Sequence, residues 1–427
     1  MSRWRKAQVG WKSWAAGRRV ASGIIKYVPL GIYISVPFCR TKCSYCNFAS
    51  DVFSQTAFER YVHRVCADVE NAKSVALEMG GQFESDVDTI YVGGGTPTVL
   101  ETGQLERIFA TVRNQFDVRP NAEVTVECAP GTLAPAVIET LLRCGVNRVS
   151  LGVQSFIDAE AAAVGRLHKR ATVIEEIARL RAAGIENINI DLIAGLPHQT
   201  AESWQASLAE TIAAGSPHVS VYMLEVDDDS RLGRELIAGG TRYHAHFVPD
   251  ESAIVDFYLA ACEKLEAAGV EQYEISNFAR SGFESRHNLK YWTRQPYLGF
   301  GIDAHSMLRS SASDIEAVRF ATADSLELYI AGAPLHRTAV SRKSALEENF
   351  FLGLRLTRGV NLQDLSLTFG EDAVGNFGDA IAELVRDGLI QEARNLVSLT
   401  SRGRLLSNEV FQRFLAPNDS VGLPARP

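Results

Sequence analysis

The stretch Gly31–Ser50, GIYISVPFCRTKCSYCNFAS, decides how the rest of the chain is read. Gly31 to Val36 is a β-type run, and Pro37 ends it because proline has no N–H to give a sheet ladder. Three cysteines follow in the loop, Cys39, Cys43 and Cys46, spaced C-x3-C-x2-C. Three thiolates can hold three irons of a [4Fe-4S] cluster and leave the fourth iron open to a ligand that is not protein. An open iron suits chemistry better than electron storage. A structural zinc site competes for the same cysteines, but it wants four closed ligands, usually in C-x2-C pairs. The next histidine is His63, and no second C-x2-C pair follows. A disulfide framework belongs to small secreted chains, not to one of 427 residues. Three unrelated buried thiols are the plainest alternative.

The length exceeds one average domain, although a barrel can use more than about 200 residues by itself. A hydrophobic content of 46% with 22% charged residues places the chain among soluble globular proteins. The net charge of −8 argues against a nucleic-acid partner spread over the surface. Cys66, Cys128, Cys144 and Cys262 lie singly in apolar contexts and read as reduced core thiols. Together with an oxygen-sensitive cluster they point to a reducing compartment, and a cytoplasmic protein is expected. No apolar run reaches the roughly 18 residues that a membrane span needs. The first 38 residues lack Asp and Glu, and they carry Arg3, Arg5, Lys6, Lys12, Arg18, Arg19 and Lys26 among three tryptophans. A loosely ordered basic extension is expected there; an organelle transit peptide or a start assigned too early are the alternatives.

Downstream, Gln55 to Met79 is periodic and reads as one helix. Thr89–Val92 is a short strand running into Gly93-Gly94-Gly95-Thr96-Pro97-Thr98. Glu123–Cys128, Arg148–Val153, Ile188–Ile193 and His218–Leu224 are further strands. Helical stretches separate them, among them Gly103–Asn114, Pro135–Arg143, Ala171–Ala183 and Ala201–Ala214. With the run before the cysteines, six strands alternate with helices, which is a parallel β/α pattern. No G-x-G-x-x-G follows the first strand, so an open dinucleotide-binding sheet lacks support. A partial (β/α)6 barrel of the TIM type is expected, with the C-terminal ends of all strands on one rim.

From Asp227 the alternation stops. Ser252–Ala268 reads as an amphipathic helix and Gln272–Ile275 as a short strand, ahead of His287-Asn288-Leu289-Lys290-Tyr291-Trp292 and Ala304-His305-Ser306. The tail from Ser344 is mostly helical, with a hairpin-like stretch ending at Leu399-Thr400. That order is similar to a winged-helix module, here without a basic stripe. The expected division is a basic extension over 1–28, a cluster-bearing barrel over 29–245, a barrel-flanking segment over 246–340, and a C-terminal helical and wing domain over 341–427.

The residues that look chemical gather at strand ends: the three cysteines, Gly93 to Thr96, Glu127, Gln154 and Asp191, with Arg166 a little beyond. Each has a plain reading alone, as a turn, a surface group or a helix cap. On one rim beside three cysteines they make a ligand site. Glycines expose backbone donors and acceptors, arginine offers a fork to a carboxylate, and carboxylates suit ribose hydroxyls or an ammonium.

The cysteine motif, with Tyr45 as the aromatic before its third cysteine, resembles that of the radical S-adenosylmethionine (SAM) superfamily. The resemblance implies that the amino and carboxylate groups of SAM chelate the open iron, and that its reductive cleavage yields a 5′-deoxyadenosyl radical. Gly152-Val153-Gln154-Ser155-Phe156, Gly165-Arg166-Leu167-His168 and Asp191-Leu192-Ile193-Ala194-Gly195-Leu196-Pro197 narrow it to the branch related to coproporphyrinogen oxidase. Ser276-Asn277-Phe278-Ala279 and Leu352-Gly353-Leu354-Arg355 extend it, so that it spans roughly residues 31 to 410. By position it implies that Tyr33, Gly94, Glu127 and Arg166 surround SAM, with Gly95, Thr96, Gln154, Asp191 and Tyr45.

That branch divides. The oxygen-independent coproporphyrinogen III oxidases decarboxylate two propionates, and they carry a further cysteine two residues past the third cluster cysteine. The HemW family of heme chaperones keeps the cluster and SAM sites, binds heme and delivers it to acceptor proteins. This chain has Phe48 at the deciding position and an intact His-Asn-x-x-Tyr-Trp motif at His287–Trp292, so it is more similar to the chaperones than to the enzymes. The resemblance implies heme as cargo, a heme-accepting protein and a reductant for the cluster as partners. His287 is the candidate heme ligand, since imidazole ligates iron and Tyr and Trp offer flat apolar surface; its plain alternative is a packed structural histidine. His305 is a weaker candidate. The His244-x-His246 pair has strand spacing and could hold a metal, though a solvated pair is the plainer reading. The chain departs from the family in having Ser35 where histidine is usual, Ile302-Asp303 in place of Pro-Gly, and Asn47 for the commoner Asp.

Overall fold

The computed structural model describes residues 28–415, so the basic extension up to residue 27 lies outside the described residues. Six parallel strands form in the expected order: β1 (Leu30–Val36), β2 (Asp86–Gly94), β3 (Asp117–Cys128), β4 (Arg148–Gln154), β5 (Asn187–Ala194) and β6 (His218–Met223). Their alternation sorts the side chains. Ile32, Ile34, Val92, Val126, Leu151, Ile190 and Val221 are fully buried under the outer helices. The intervening positions carry Tyr33, Tyr91, Glu127, Ser150, Asp191 and Ser220 on the inner face, where register pairs Tyr33 with Tyr91, Glu127 with Ser150 and Asp191 with Ser220. The inner face is therefore polar and the outer one apolar.

The sheet does not stop at six strands. Two short strands, β7 (Glu271–Gln272) and β8 (Asn277–Ala279), extend it antiparallel past β6. On the other side β9 (Tyr297–Gly301) lies parallel to β1, and β10 (His305–Arg309), β11 (Ile315–Ala321) and β12 (His336–Ser341) continue it antiparallel, twelve strands in all among the described residues. The Gly299-Phe300-Gly301 stretch thus joins the barrel wall. Gly299 has no room for a side chain, since a Cβ would meet the His305 carbonyl oxygen at 2.2 Å.

The helix expected over Gln55–Met79 is two, Gln55–Glu70 and Ala72–Glu78. Asn71, at φ −91° and ψ 2°, breaks the run, and its side-chain amide donates to the Ala67 carbonyl (2.8 Å). Past β12 the helix Arg342–Gly353 leads into a second core built on Phe350, Leu354, Val397 and Phe414. There β13 (Val360–Asn361), β14 (Ile390–Ala393) and β15 (Leu396–Leu399) form a small antiparallel sheet.

Candidate functional site

Cys39, Cys43 and Cys46 leave the top of β1 in a loop closed at its base. Cys39 N–H donates to Asp51 O (3.0 Å) and Asp51 N–H to Pro37 O (2.9 Å). Inside the loop the Lys42 ammonium donates to the carbonyls of Ser50 (2.7 Å) and Phe48 (3.3 Å). The Phe48 side chain is half exposed. The Thr96 hydroxyl lies 3.9 Å from Cys39 Sγ and the Ser50 hydroxyl 4.0 Å from Cys46 Sγ. Burial pushes the Cys39 and Cys46 thiols above their ordinary pKa. Such thiols ionise when a metal displaces the proton and supplies the compensating charge.

The glycine run meets this loop. Gly95 N–H donates to Val36 O and Thr96 N–H to Phe38 O, both at 2.7 Å. A Cβ on Gly95 would stand 2.7 Å from Phe38 O and 2.8 Å from Val36 O, so only glycine fits. Gly94 N–H turns inward to Glu127 Oε2 (3.1 Å), and the Tyr91 hydroxyl donates to Glu127 Oε1 (2.7 Å). Burial raises Glu127 to about 7, against the pull of those two hydrogen bonds.

Opposite, β4 ends in an irregularity. Register skips between Gly152 and Gln154, and Gln154 takes a left-handed backbone, φ 67°. A bulge of this kind re-aims a side chain at a strand end. Arg166 donates from Nη2 to the Tyr45 hydroxyl (2.8 Å), which ties the rim to the cysteine motif. Asp191 accepts from Ser150 Oγ (3.0 Å) and Asn189 Nδ2 (2.7 Å), and burial raises its pKa. Two buried polar atoms here, Gln154 Oε1 and Arg166 Nε, have no protein partner. Orphans of that kind fit a polar ligand on the rim. With the three thiols they make a donor set suited to SAM on a [4Fe-4S] cluster.

His287 lies elsewhere, at the foot of the barrel, in the helix Arg286–Trp292. It is buried, with Nδ1 2.9 Å from Thr89 Oγ1 and Nε2 2.9 Å from the Tyr291 hydroxyl. Burial lowers its pKa to about 3. Tyr33 and Tyr91 stand between it and the rim, with ring centroids 6.4 and 5.4 Å from the imidazole. His305 is partly exposed and lies 3.7 Å from the Asp303 carboxylate. Asp303 has φ 52°, a backbone that Asp tolerates and for which the family's glycine is the usual solution. Ser35 pairs with Gly93 near the top of β1, and its carbonyl accepts from the Tyr61 hydroxyl (2.6 Å).

The strand spacing read into His244-x-His246 does not hold. The segment Ala245–Phe247 is a single 3-10 turn, and the ring near His244 is that of His198. Sequence reasoning also missed the buried network behind Asp191. Asn189 bonds Ser150, Ser220 and His218 Nδ1, and His218 Nε2 reaches the Tyr273 hydroxyl (2.9 Å). A signal was available: polar residues at alternate positions of β4, β5 and β6.

Residues 33–210 match the model of the radical SAM superfamily, and residues 340–406 match the HemN C-terminal domain. Fold and rim together make this a radical SAM protein. The Lactococcus lactis heme chaperone HemW is 34% identical over 391 residues, covering 91% of this chain and 97% of that protein. The Bacillus subtilis heme chaperone HemW is 34% identical over 390 residues, covering 90% and 98%. The Escherichia coli HemW is 29% identical over 397 residues, covering 92% and 100%. The chain belongs to the HemW family. Among solved structures, the E. coli coproporphyrinogen III oxidase HemN superposes with a TM-score of 0.76 at 23% identity, over 90% of each chain, a likeness of fold.

Proposed function

We propose that the chain is a heme chaperone that carries a [4Fe-4S] cluster on Cys39, Cys43 and Cys46, binds SAM, and passes heme to an acceptor protein. The observation that carries the reading is the convergence of the cysteine loop, the Gly94–Thr96 backbone and the orphaned Gln154 and Arg166 atoms on one rim. The names of the HemW relatives, and Phe48 in place of a fourth cysteine, favour heme handling over porphyrinogen oxidation. When bound, the cluster supplies a redox-active iron with one open coordination position. Gly94 and Gly95 bring carbonyl oxygens to the amino acid end of SAM, their N–H groups being held by Glu127 and Val36. Glu127 and Asp191 are partners for an ammonium or ribose hydroxyls, and Arg166 for a carboxylate, with Tyr45 holding its guanidinium. Tyr33, Thr96 and Gln154 line the same space.

His287 enters as a heme ligand on one condition. Both ring nitrogens are engaged, so the helix Arg286–Trp292 must move before iron reaches it. The four-part division of the chain, a cytoplasmic setting and a reductant for the cluster belong to the same reading. No helix among the described residues is long and apolar enough to cross a membrane.

The test is anaerobic reconstitution of the full chain, metal analysis, and incubation with coproporphyrinogen III, dithionite and SAM. Iron and sulfide near four each, stoichiometric hemin binding and unchanged coproporphyrinogen are expected for one [4Fe-4S] cluster. Formation of protoporphyrinogen would make the protein an oxidase. SAM cleavage without hemin binding would point to another substrate, and zinc without iron would remove the cluster.

A further inference from the structure

Beside the cysteine loop lies an arginine-lined cleft whose wall ends at Tyr243, the residue before His244 of a histidine pair, and the SAM site uses neither cleft nor pair. His198 follows β5, and His244 precedes the turn Ala245–Phe247. His198 Nε2 and His244 Nδ1 are 3.2 Å apart, so one ring donates to the other. The His198 ring stacks on Phe247, with centroids 4.2 Å apart and planes at 28°, and Phe247 is 57% exposed. Both histidines hold a left-handed backbone, φ 67° and φ 60°. Non-glycine residues adopt it rarely, and such outliers cluster at ligand sites.

The adjoining cleft, about 420 Å³, is lined by Arg231, Arg234, Arg242 and Tyr243. The carboxylate in its wall, Glu235, is occupied by backbone: Tyr243 N–H donates to Oε2 (2.8 Å) and Ala245 N–H to Oε1 (3.1 Å). Neither Arg234 nor Arg242 forms an ion pair among the described residues. The helix Arg231–Ala238 that forms one side of the cleft is bound to the cluster loop. Leu232 N–H donates to Ser44 O (2.8 Å) and Arg231 Nη1 to Lys42 O (3.1 Å).

An iron porphyrin asks for an imidazole on iron, a flat apolar contact and cations for two propionates. The helix Arg231–Ala238 and the segment that follows it to Phe247 offer all three. A small anion would use the arginines and leave the imidazoles idle; a bare divalent cation would do the reverse. We propose that heme docks here, with His244 Nε2 as axial ligand and Arg234 and Arg242 on the propionates. His198 is a positioning residue: it accepts the Nδ1 proton of His244 and so directs Nε2 outward, as ligating imidazoles usually require. The inference rests on the heme-handling reading and supplies it with a surface site next to the cluster.

The experiment is a hemin titration of the full chain and of His244→Asn, His287→Ala and the Arg234→Gln/Arg242→Gln pair, repeated with iron-free protoporphyrin IX. Asparagine is chosen because it tolerates the left-handed backbone. His244→Asn should shift the Soret band and raise the hemin Kd about tenfold, with added imidazole restoring the spectrum. Its protoporphyrin IX binding should stay at the wild-type level, whereas the arginine pair should lose about tenfold with either ligand. A His244→Asn protein with the wild-type spectrum and affinity overturns the site, and if His287→Ala is then the variant that fails, the heme-handling reading survives without it. A wild-type chain that binds no hemin removes both.

Discussion

Glu127 sets the charge of the rim through its own protonation. Its carboxyl titrates near 4.5 when free and near 7 in the fold, because burial disfavours the anion. The folded state therefore holds an extra proton between those values. The stability this contributes is fully present below 4.5 and is lost as pH rises through 7. Glu127→Gln carries no such loss, so without SAM its melting temperature should climb relative to wild type between about pH 5 and 8. Parallel melting profiles would show that the buried carboxyl does not titrate this way. Gly95 poses a steric question instead. Gly95→Ala forces a methyl against Phe38 O and Val36 O, and overpacking costs about 1–3 kcal/mol. A lower melting temperature and weaker SAM retention in equilibrium dialysis are expected. A variant as stable as wild type would mean that the loop yields.

The helix Arg286–Trp292 is the element on which access to His287 depends, and a buried cation holds it down. Lys290 Nζ lies 2.7 Å from Asp88 Oδ1 and donates to Pro29 O at 2.8 Å, while Arg286 reaches the same carboxylate at 3.3 Å. Gly31 makes the close approach possible, since a Cβ there would stand 2.8 Å from Lys290 Cδ and 3.3 Å from His287 Cε1. Lys290→Met keeps the volume and removes the charge. Removing one partner of a buried pair costs about 3 kcal/mol, less here because Arg286 stays. Faster amide exchange in this helix than in wild type is expected, with the cluster loop unchanged. Equal exchange would show that packing alone seats the helix.

At the scale of the molecule, barrel and C-terminal unit are joined by a charged cluster. Glu348 receives Arg294 at 2.6 Å and Arg319 at 2.8 Å, and all three are largely buried. Nearby, Arg355 lies 4.3 Å from the Trp292 ring and 3.7 Å from Glu274, which links the C-terminal unit to the His287 helix. Glu348→Gln leaves two guanidiniums without their anion. Such a break costs about 3–5 kcal/mol, and limited proteolysis at the Ser341–Arg342 junction, where β12 runs straight into the helix Arg342–Gly353, should quicken. Unchanged proteolysis would locate the joint in the apolar contacts instead.

Read along the chain, period and spacing were enough for the parallel strands, the cysteine loop and the rim residues that follow each strand, because all of these are local. Each strand end carries its own residue, and the β/α order puts those ends on one side. Local pattern could not reveal that β9 inserts beside β1, since pairing between Gly299 and Tyr33 is a matter of register between distant segments. Nor could it show that His287 sits at the foot of the barrel with both nitrogens bonded, or that His198 and His244 meet across 46 positions of sequence. Which groups are buried, which are satisfied and which face outward depends on what the folded chain brings against them. The kind of chemistry was therefore written in residue types and spacing, and the reach of each group was decided by packing.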